Sequence, residues 1–272
     1  MYRVPEIMPD NSNIVFAFFL TAIAGLSTGI GSGIALLTKK TNKNFLSLSL
    51  GFSAGIMIYV SFMEMMPTAL SGLTAAFGDK TGTLYMILAF FGGIILINAI
   101  DFAIPEQVNP HEAHGVEEMQ SKTSLKRTGI MVALSIGIHN FPEGIATFTS
   151  ALTSLDIAIP ITVAIAIHNI PEGIAVAIPI YHASGSRKKA FWYSFLSGVS
   201  EPVGALLAYI FLFKFWTPTL NGFILAGVAG IMVFISLDEL LPTAEKYGKH
   251  HLSITGVVAG MLVMALSLFL FI

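Results

Sequence analysis

The sequence predicts an all-α membrane protein with eight transmembrane helices in a 3+2+3 inverted-repeat arrangement. Of its 272 residues, 54% are apolar and only 11% are charged, whereas about 25% of the residues in a soluble domain are charged. Eight apolar runs are long enough to cross a bilayer as helices. The last four of these runs also resemble the first four, and this indicates an internal repeat.

The eight predicted spans form a single polytopic transmembrane domain over residues 1–272. A helix of about 20 apolar residues crosses the hydrocarbon core of a bilayer. The spans are 14–38, 46–66, 84–104, 130–152, 157–180, 190–213, 220–242 and 253–272. The longest and most polar connection, residues 105–129, is expected to be a cytoplasmic loop.

The basic residues predict the orientation. Eleven of the 14 Lys and Arg residues follow spans one, three, five and seven. Because cytoplasmic loops carry the excess of Lys and Arg, both termini are expected outside. The net charge is −2 and no basic cluster stands out, so nucleic acid is not an expected partner, whereas the lipid bilayer is.

The internal repeat relates spans one to three to spans six to eight, and span four to span five. Residues 54–69 in span two and 229–244 in span seven are identical at nine of sixteen positions. Spans three and eight share little beyond Gly93 and Gly260. The positions of paired spans in the chain order differ by an odd number (five or one), and paired spans therefore run in opposite directions. Inverted repeats of this kind are typical of transporters whose site lies at the membrane midplane.

Spans four and five contain a duplicated motif, residues 138–146 and 167–175, which are identical at eight of nine positions. In each copy a histidine and a glutamate are four residues apart, on one face of a helix. An asparagine precedes the glutamate by three residues. Pro142 and Pro171 each remove a backbone donor, and such breaks are tolerated in membranes where they line a cavity or a site.

The polar residues of spans four, five and six fall at one depth, half way through the bilayer. They are His139, Asn140, Glu143, His168, Asn169, Glu172 and Glu201. A charged side chain at that depth costs about 3 kcal/mol unless it is paired or solvated, and a divalent cation would neutralise the group. The chain has no cysteine, so the ligands are nitrogen and oxygen atoms, which suit zinc, iron(II), manganese or cobalt.

These residues predict two adjacent metal sites. The two histidines and two glutamates (His139, Glu143, His168, Glu172) match a four-coordinate zinc site. The oxygen-rich set (Asn140, Glu143, Asn169, Glu172, Glu201) suits iron(II), manganese or a weakly held second ion. The two shared glutamates would bridge the sites. The alternative is a structural network of paired His and Glu side chains between helices.

Three further carboxylates, Glu64, Asp238 and Glu239, are predicted near the ends of spans two and seven. We expect Glu64 to receive the ion from outside and the other two to release it into the cytoplasm. The alternative is that all three are solvated side chains at helix ends.

The His-Asn-x-Pro-Glu-Gly motif in consecutive helices, followed by Glu201 in the next helix, resembles the ZIP (Zrt/Irt-like) metal transporters. The resemblance covers nearly the whole chain. It implies uptake of divalent metal, zinc foremost, by alternating access across the inner membrane of a bacterium. No cofactor is implied, and the family often forms homodimers. All seven predicted ligands match metal ligands of the family.

Two other functions are compatible with part of the pattern. One is an intramembrane zinc metalloenzyme, such as a hydrolase, which would use zinc-bound water. The sequence has no His-Glu-x-x-His motif, so we predict that the protein is not an enzyme. The other is a proton-coupled carrier of an organic solute that binds no metal.

Overall fold

The computed structural model describes residues 11–37, 43–103 and 122–270, and within these ranges the chain is helical, without β-strands. The α-helices are α1 (Asn11–Leu37), α2 (Lys43–Val60), α3 (Met66–Phe77), α4 (Asp79–Ala103), α5 (Lys122–Thr153), α6 (Leu155–Ser184), α7 (Arg187–Gly198), α8 (Ser200–Leu212), α9 (Pro218–Ile235), α10 (Leu241–Tyr247) and α11 (His250–Leu270). Short π-helical turns join α2 to α3 and α9 to α10.

In the described part of the chain, seven helical segments are long and apolar enough to cross a membrane. They are Asn13–Leu37, Lys43–Phe77, Asp79–Phe102, Leu155–Ile178, Arg187–Phe215, Pro218–Lys246 and His250–Leu270. The prediction of an all-α membrane protein is therefore confirmed. The predicted fourth span, residues 130–152, lies within α5, which is not among the seven.

Two predicted boundaries were wrong. Spans two and seven do not end at residues 66 and 242, because the helices continue to Phe77 and Tyr247. Pro67 and Pro242 lie in the first turns of α3 and α10, where a missing backbone N–H is tolerated.

The predicted loop at residues 105–129 was also too long at its carboxyl end. The structure begins α5 at Lys122. The first residues of this helix include Leu and several Lys and Arg side chains and no Gly or Pro before Gly129, a composition that favours a helix. The remainder of the predicted loop, up to residue 121, lies outside the described residues.

The sequence repeat extends to an uncommon backbone feature. The two π-helical turns, Ser61–Met65 and Ser236–Leu240, occupy the same position in the two copies of the repeat. Each begins with a serine and contains a glutamate, Glu64 in the first and Glu239 in the second. Single π-helical turns are frequent at functional sites, so both glutamates are candidates for a functional role.

Glycines bring the helices together in equivalent pairs. A Cβ added to Gly31 of α1 would lie 1.9 Å from the carbonyl oxygen of Ile170 in α6. A Cβ added to Gly204 of α8 would lie 2.2 Å from that of Phe141 in α5. Ile170 and Phe141 occupy the same position of the duplicated motif. The packing of α1 on α6 thus repeats in the packing of α8 on α5.

The outer helices pack in the same way. A Cβ on Gly55 of α2 would lie 2.1 Å from the carbonyl oxygen of Val257 in α11, and one on Gly230 of α9 would lie 2.0 Å from that of Phe90 in α4. Gly55 and Gly230 are equivalent in the repeat. Small residues at such crossings permit the close backbone approach on which helix packing in membranes depends.

We predict that Gly55→Ala destabilises the protein by about 1–3 kcal/mol, because the added methyl group would overlap a backbone atom that cannot move cheaply. Gly33→Ala in α1 is the matched control, since a Cβ there meets nothing within 4 Å. The control should be neutral or slightly stabilising, since alanine favours helix more than glycine. Thermal unfolding in detergent measures both, and equal melting temperatures would contradict the packing.

Candidate metal centre

The helices α5 and α6 both continue through the prolines of the duplicated motif. Each proline removes one helical hydrogen bond without ending the helix. The histidine and glutamate of each copy therefore stay one helical turn apart, as the sequence predicts.

The four ionisable side chains of the motif pair across the two helices. His139 Nε2 lies 3.4 Å from Glu172 Oε2, and His168 Nε2 lies 3.3 Å from Glu143 Oε2. All four side chains are at most 1% exposed. The sequence places the histidine and glutamate of each copy on one helix face, and the contacts in the structure join the histidine of one helix to the glutamate of the other. We call these contacts the crossed His–Glu pairs.

The spacing within the crossed His–Glu pairs suits metal ligation. Most N–H···O hydrogen bonds are shorter, at about 2.7–3.2 Å between heavy atoms. Two ligands that each lie about 2.0–2.1 Å from a tetrahedral zinc ion are about 3.4 Å apart. Within the described residues, no three His, Asp or Glu side chains already form a metal-binding group. The side chains as they stand therefore do not form a complete four-ligand site.

Glu201 joins this cluster from α8. The Nδ2 of Asn169 donates a hydrogen bond to Glu201 Oε1 and another to the carbonyl oxygen of Ala24, at 3.0 Å. The close approach of α8 to α5 depends on Gly144, where a Cβ would lie 2.0 Å from the carbonyl oxygen of Glu201. Glu201 is fully buried, so a third carboxylate adjoins the crossed His–Glu pairs.

Several buried oxygen atoms of the cluster have no hydrogen-bond partner among the described residues. They are Asn140 Oδ1, Glu143 Oε1, Asn169 Oδ1 and Glu201 Oε2. Most buried polar atoms in folded proteins are paired. All four belong to the oxygen-rich set predicted from sequence, and amide and carboxylate oxygens are ligands for hard divalent cations. These atoms can therefore satisfy their bonding capacity by coordinating a cation.

Ser53 of α2 was missed by the sequence interpretation. Its hydroxyl donates to the carbonyl oxygen of His168 at 3.3 Å and lies 3.5 Å from Glu172 Oε1. The residue is fully buried. Its position in the repeat corresponds to Val228 in span seven, so the repeat gave no signal. The only signal in the sequence for a role of Ser53 was a polar residue within a largely apolar span.

Glu239 lies at the cluster, and the predicted position near a helix end was wrong for it and also for Glu64 and Asp238, because both helices continue past these residues. Its Oε2 is 3.7 Å from His139 Nδ1, and the residue is only 6% exposed. The helical segment continues beyond it to Tyr247. Asp238, the adjacent residue, is exposed, and Glu64 is half-buried in the equivalent π-helical turn. The structure therefore separates three carboxylates that the sequence had grouped.

Comparisons with known proteins agree with the motif. The sequence profile described as ZIP zinc transporter matches residues 105–268. A protein named zinc transporter ZupT from Streptococcus mutans is 62% identical over 263 residues, which cover 96% of this chain and 100% of the relative. ZupT proteins from Clostridium perfringens and Nitratidesulfovibrio vulgaris are 56% and 54% identical, over 97% of this chain and 99% and 100% of their own lengths.

These relatives decide between the classes of function that the sequence left open. All three are named as transporters. The prediction that the chain is not an enzyme is therefore confirmed, and the resemblance drawn from the duplicated motif is correct. Together with its membrane-spanning helices, the matches show that this multi-pass membrane protein belongs to the ZIP zinc transporter family.

Proposed function

We propose that this protein carries zinc across the membrane through a site formed by α5, α6 and α8. The crossed His–Glu pairs are the observation on which the proposal rests, since two imidazoles and two carboxylates are fully buried within the helices. Zinc is commonly bound by such nitrogen and oxygen ligands. The zinc transporters among the relatives support the same ion.

The bound ion would offset an electrostatic cost. Each charged side chain at the middle of a bilayer costs about 3 kcal/mol unless it is paired. Here Glu143, Glu172 and Glu201 are buried together with two histidines. Three carboxylates therefore outnumber the imidazoles that could carry a compensating positive charge. A divalent cation between them attracts all three carboxylates at once, so the cluster favours an ion over an apolar solute.

A second, oxygen-rich position would adjoin the zinc position. The unpaired oxygens of Asn140, Asn169 and Glu201 support it, and Glu143 and Glu172 would bridge the two positions. Harder oxygen ligands extend the proposed substrates to iron(II), manganese and cobalt. These ions are substrates that leave the protein, and no resident cofactor is proposed.

We further propose eight spans in a 3+2+3 inverted repeat, with α5 as the fourth. The equivalent glycine contacts of Gly31 and Gly204 support this pseudo-symmetry. Inverted repeats suit alternating access to a central site. The distribution of Lys and Arg supports uptake towards a cytoplasmic side, with both termini outside the inner membrane of a bacterium. The homodimer stays a prediction of the resemblance.

Glu239 and Glu64 would guide the ion to and from the site. The 3.7 Å distance between Glu239 and His139 supports a step in which the ion passes directly between them. Glu64, half-buried in the equivalent turn, would serve the other side of the membrane. Asp238 is exposed, so it would contact the ion only after the ion has left the buried cluster.

The proposal predicts that Glu143→Ala and Glu172→Ala each abolish uptake of every metal into proteoliposomes, because each glutamate belongs to both positions. Asn140→Ala and Asn169→Ala should retain part of the zinc uptake, since they remove ligands of the second position alone. Glu245→Ala is the matched control, because Glu245 is a partly exposed carboxylate paired with His250 at the surface. Complete loss in all four site variants would contradict the two-position arrangement, and normal uptake by Glu172→Ala would contradict the site itself.

Adjacent residues test the role of Glu239. Glu239→Gln keeps the size of the side chain but removes the charge next to His139, and we expect it to lower the rate of zinc uptake about tenfold or more, the effect of losing roughly 1.4 kcal/mol. Asp238→Asn removes a charge one residue away on an exposed side chain and should change the rate less than twofold. Initial rates of zinc uptake give both values. Equal effects of the two substitutions would show that Glu239 has no special part in the pathway.

A further inference from the structure

Two cavities meet along α7. The larger has a volume of about 910 Å³ and lies between α4, α5, α7, α8 and α9. The smaller has a volume of about 370 Å³ and lies at the start of α7. Tyr193 and Leu196 line both. The two cavities therefore adjoin each other at these residues, and we call them together the α7 groove.

The larger part of the α7 groove is apolar, and some of its lining side chains are exposed on segments that can span a membrane. Its lining includes Ile97, Phe141 and Ile231. Leu96 and Leu196, which also line it, are 56% and 58% exposed. Both leucines belong to segments long enough to span a membrane. Lipid chains are the apolar molecules that surround such a groove.

The smaller part of the α7 groove is basic. Lys188 and Lys189 line it together with Ser186 and Trp192, and both lysine residues are exposed. They lie in the first turn of α7, the end of the helix at which the helix dipole adds partial positive charge. Trp192 is 47% exposed, and tryptophan is enriched at the depth of lipid headgroups. An anionic headgroup would meet complementary charge here.

We propose that the α7 groove binds one anionic phospholipid, with its phosphate at Lys188 and Lys189 and an acyl chain in the apolar part. The two cavities adjoin at Tyr193 and Leu196, and this supports a ligand with both a charged and an apolar portion. Such a lipid would contact α4 and α9 on one side and α5 and α7 on the other. It would therefore stabilise the relative positions of these helices.

Tryptophan fluorescence tests the headgroup. The chain has two tryptophans, Trp192 and Trp216, so Trp216→Phe leaves Trp192 as the only reporter. The full chain carrying this substitution is placed in bilayers of phosphatidylcholine with brominated acyl chains, which quench tryptophan. Unbrominated phosphatidylglycerol that binds in the groove displaces the brominated lipid next to Trp192. It should therefore protect the fluorescence of Trp192 from quenching more than the same amount of unbrominated phosphatidylcholine does.

The charge variants follow in the same assay. Lys188→Gln combined with Lys189→Gln should lower the preference for phosphatidylglycerol about fivefold or more, since each basic residue contributes appreciably to binding of anionic lipid. Lys246→Gln combined with Lys249→Gln is the matched control, because both are exposed lysines away from the groove. Equal loss in the two double variants would overturn the proposal in favour of general surface attraction.

A second pair of variants tests the acyl chain. Gly92 lines the α7 groove, and a Cβ there meets nothing within 4 Å, so Gly92→Leu should fill part of the groove without a clash. Gly33→Leu is the matched control on α1, where a Cβ also meets open space. Protection by phosphatidylglycerol should weaken severalfold in Gly92→Leu only.

Two other results would overturn the proposal. Protection that is the same in Gly92→Leu and Gly33→Leu would remove the acyl chain from the groove. Protection by inorganic phosphate as strong as that by phosphatidylglycerol would assign the lysines to a free anion. Circular dichroism and size-exclusion profiles identify misfolded variants, and the charge and groove pairs are independent of each other.

Discussion

The burial of charge between α5 and α6 is the constraint on which the rest of this structure depends. The crossed His–Glu pairs place two imidazoles and two carboxylates in an apolar interior, and unpaired charges there would be expensive. Because the pairs join two helices, the free-energy cost of burying a charged side chain on one helix depends on the position of the other helix. The spacing of α5 and α6 therefore governs stability, and it would govern metal binding at the proposed site.

Close helix packing holds that spacing. Gly144 and Gly173, which follow the two motif glutamates, admit the backbones of α8 and α1, with added Cβ atoms only 2.0 Å from the carbonyl oxygens of Glu201 and Thr28. The two contacts are equivalent in the repeat, but one brings a carboxylate to the cluster and the other a hydroxyl. This difference contributes to the asymmetry of the cluster, and it supplies the oxygen-rich side with its third glutamate.

The sequence predicted the helical class, the repeat and the seven proposed ligands, because a polar residue in an apolar span is conspicuous and a duplicated motif is rarer still. It could not predict which side chains pair, since helix spacing alone leaves the partner on a neighbouring helix open. It also missed Ser53, an ordinary small residue of span two, and misplaced Glu239 by ending the helix at a proline. Both errors concern positions that only the three-dimensional packing brings to the cluster.

X-ray absorption at the zinc edge tests the central claim, that the buried histidines and carboxylates bind the transported ion. The purified full chain loaded with one equivalent of zinc should show nitrogen and oxygen ligands at about 2.0–2.2 Å with an imidazole contribution. Replacement of both His139 and His168 by alanine should remove that imidazole contribution, although the chain has seven histidines in all. An imidazole signal of the same size in this double variant would place the bound zinc elsewhere and contradict the account.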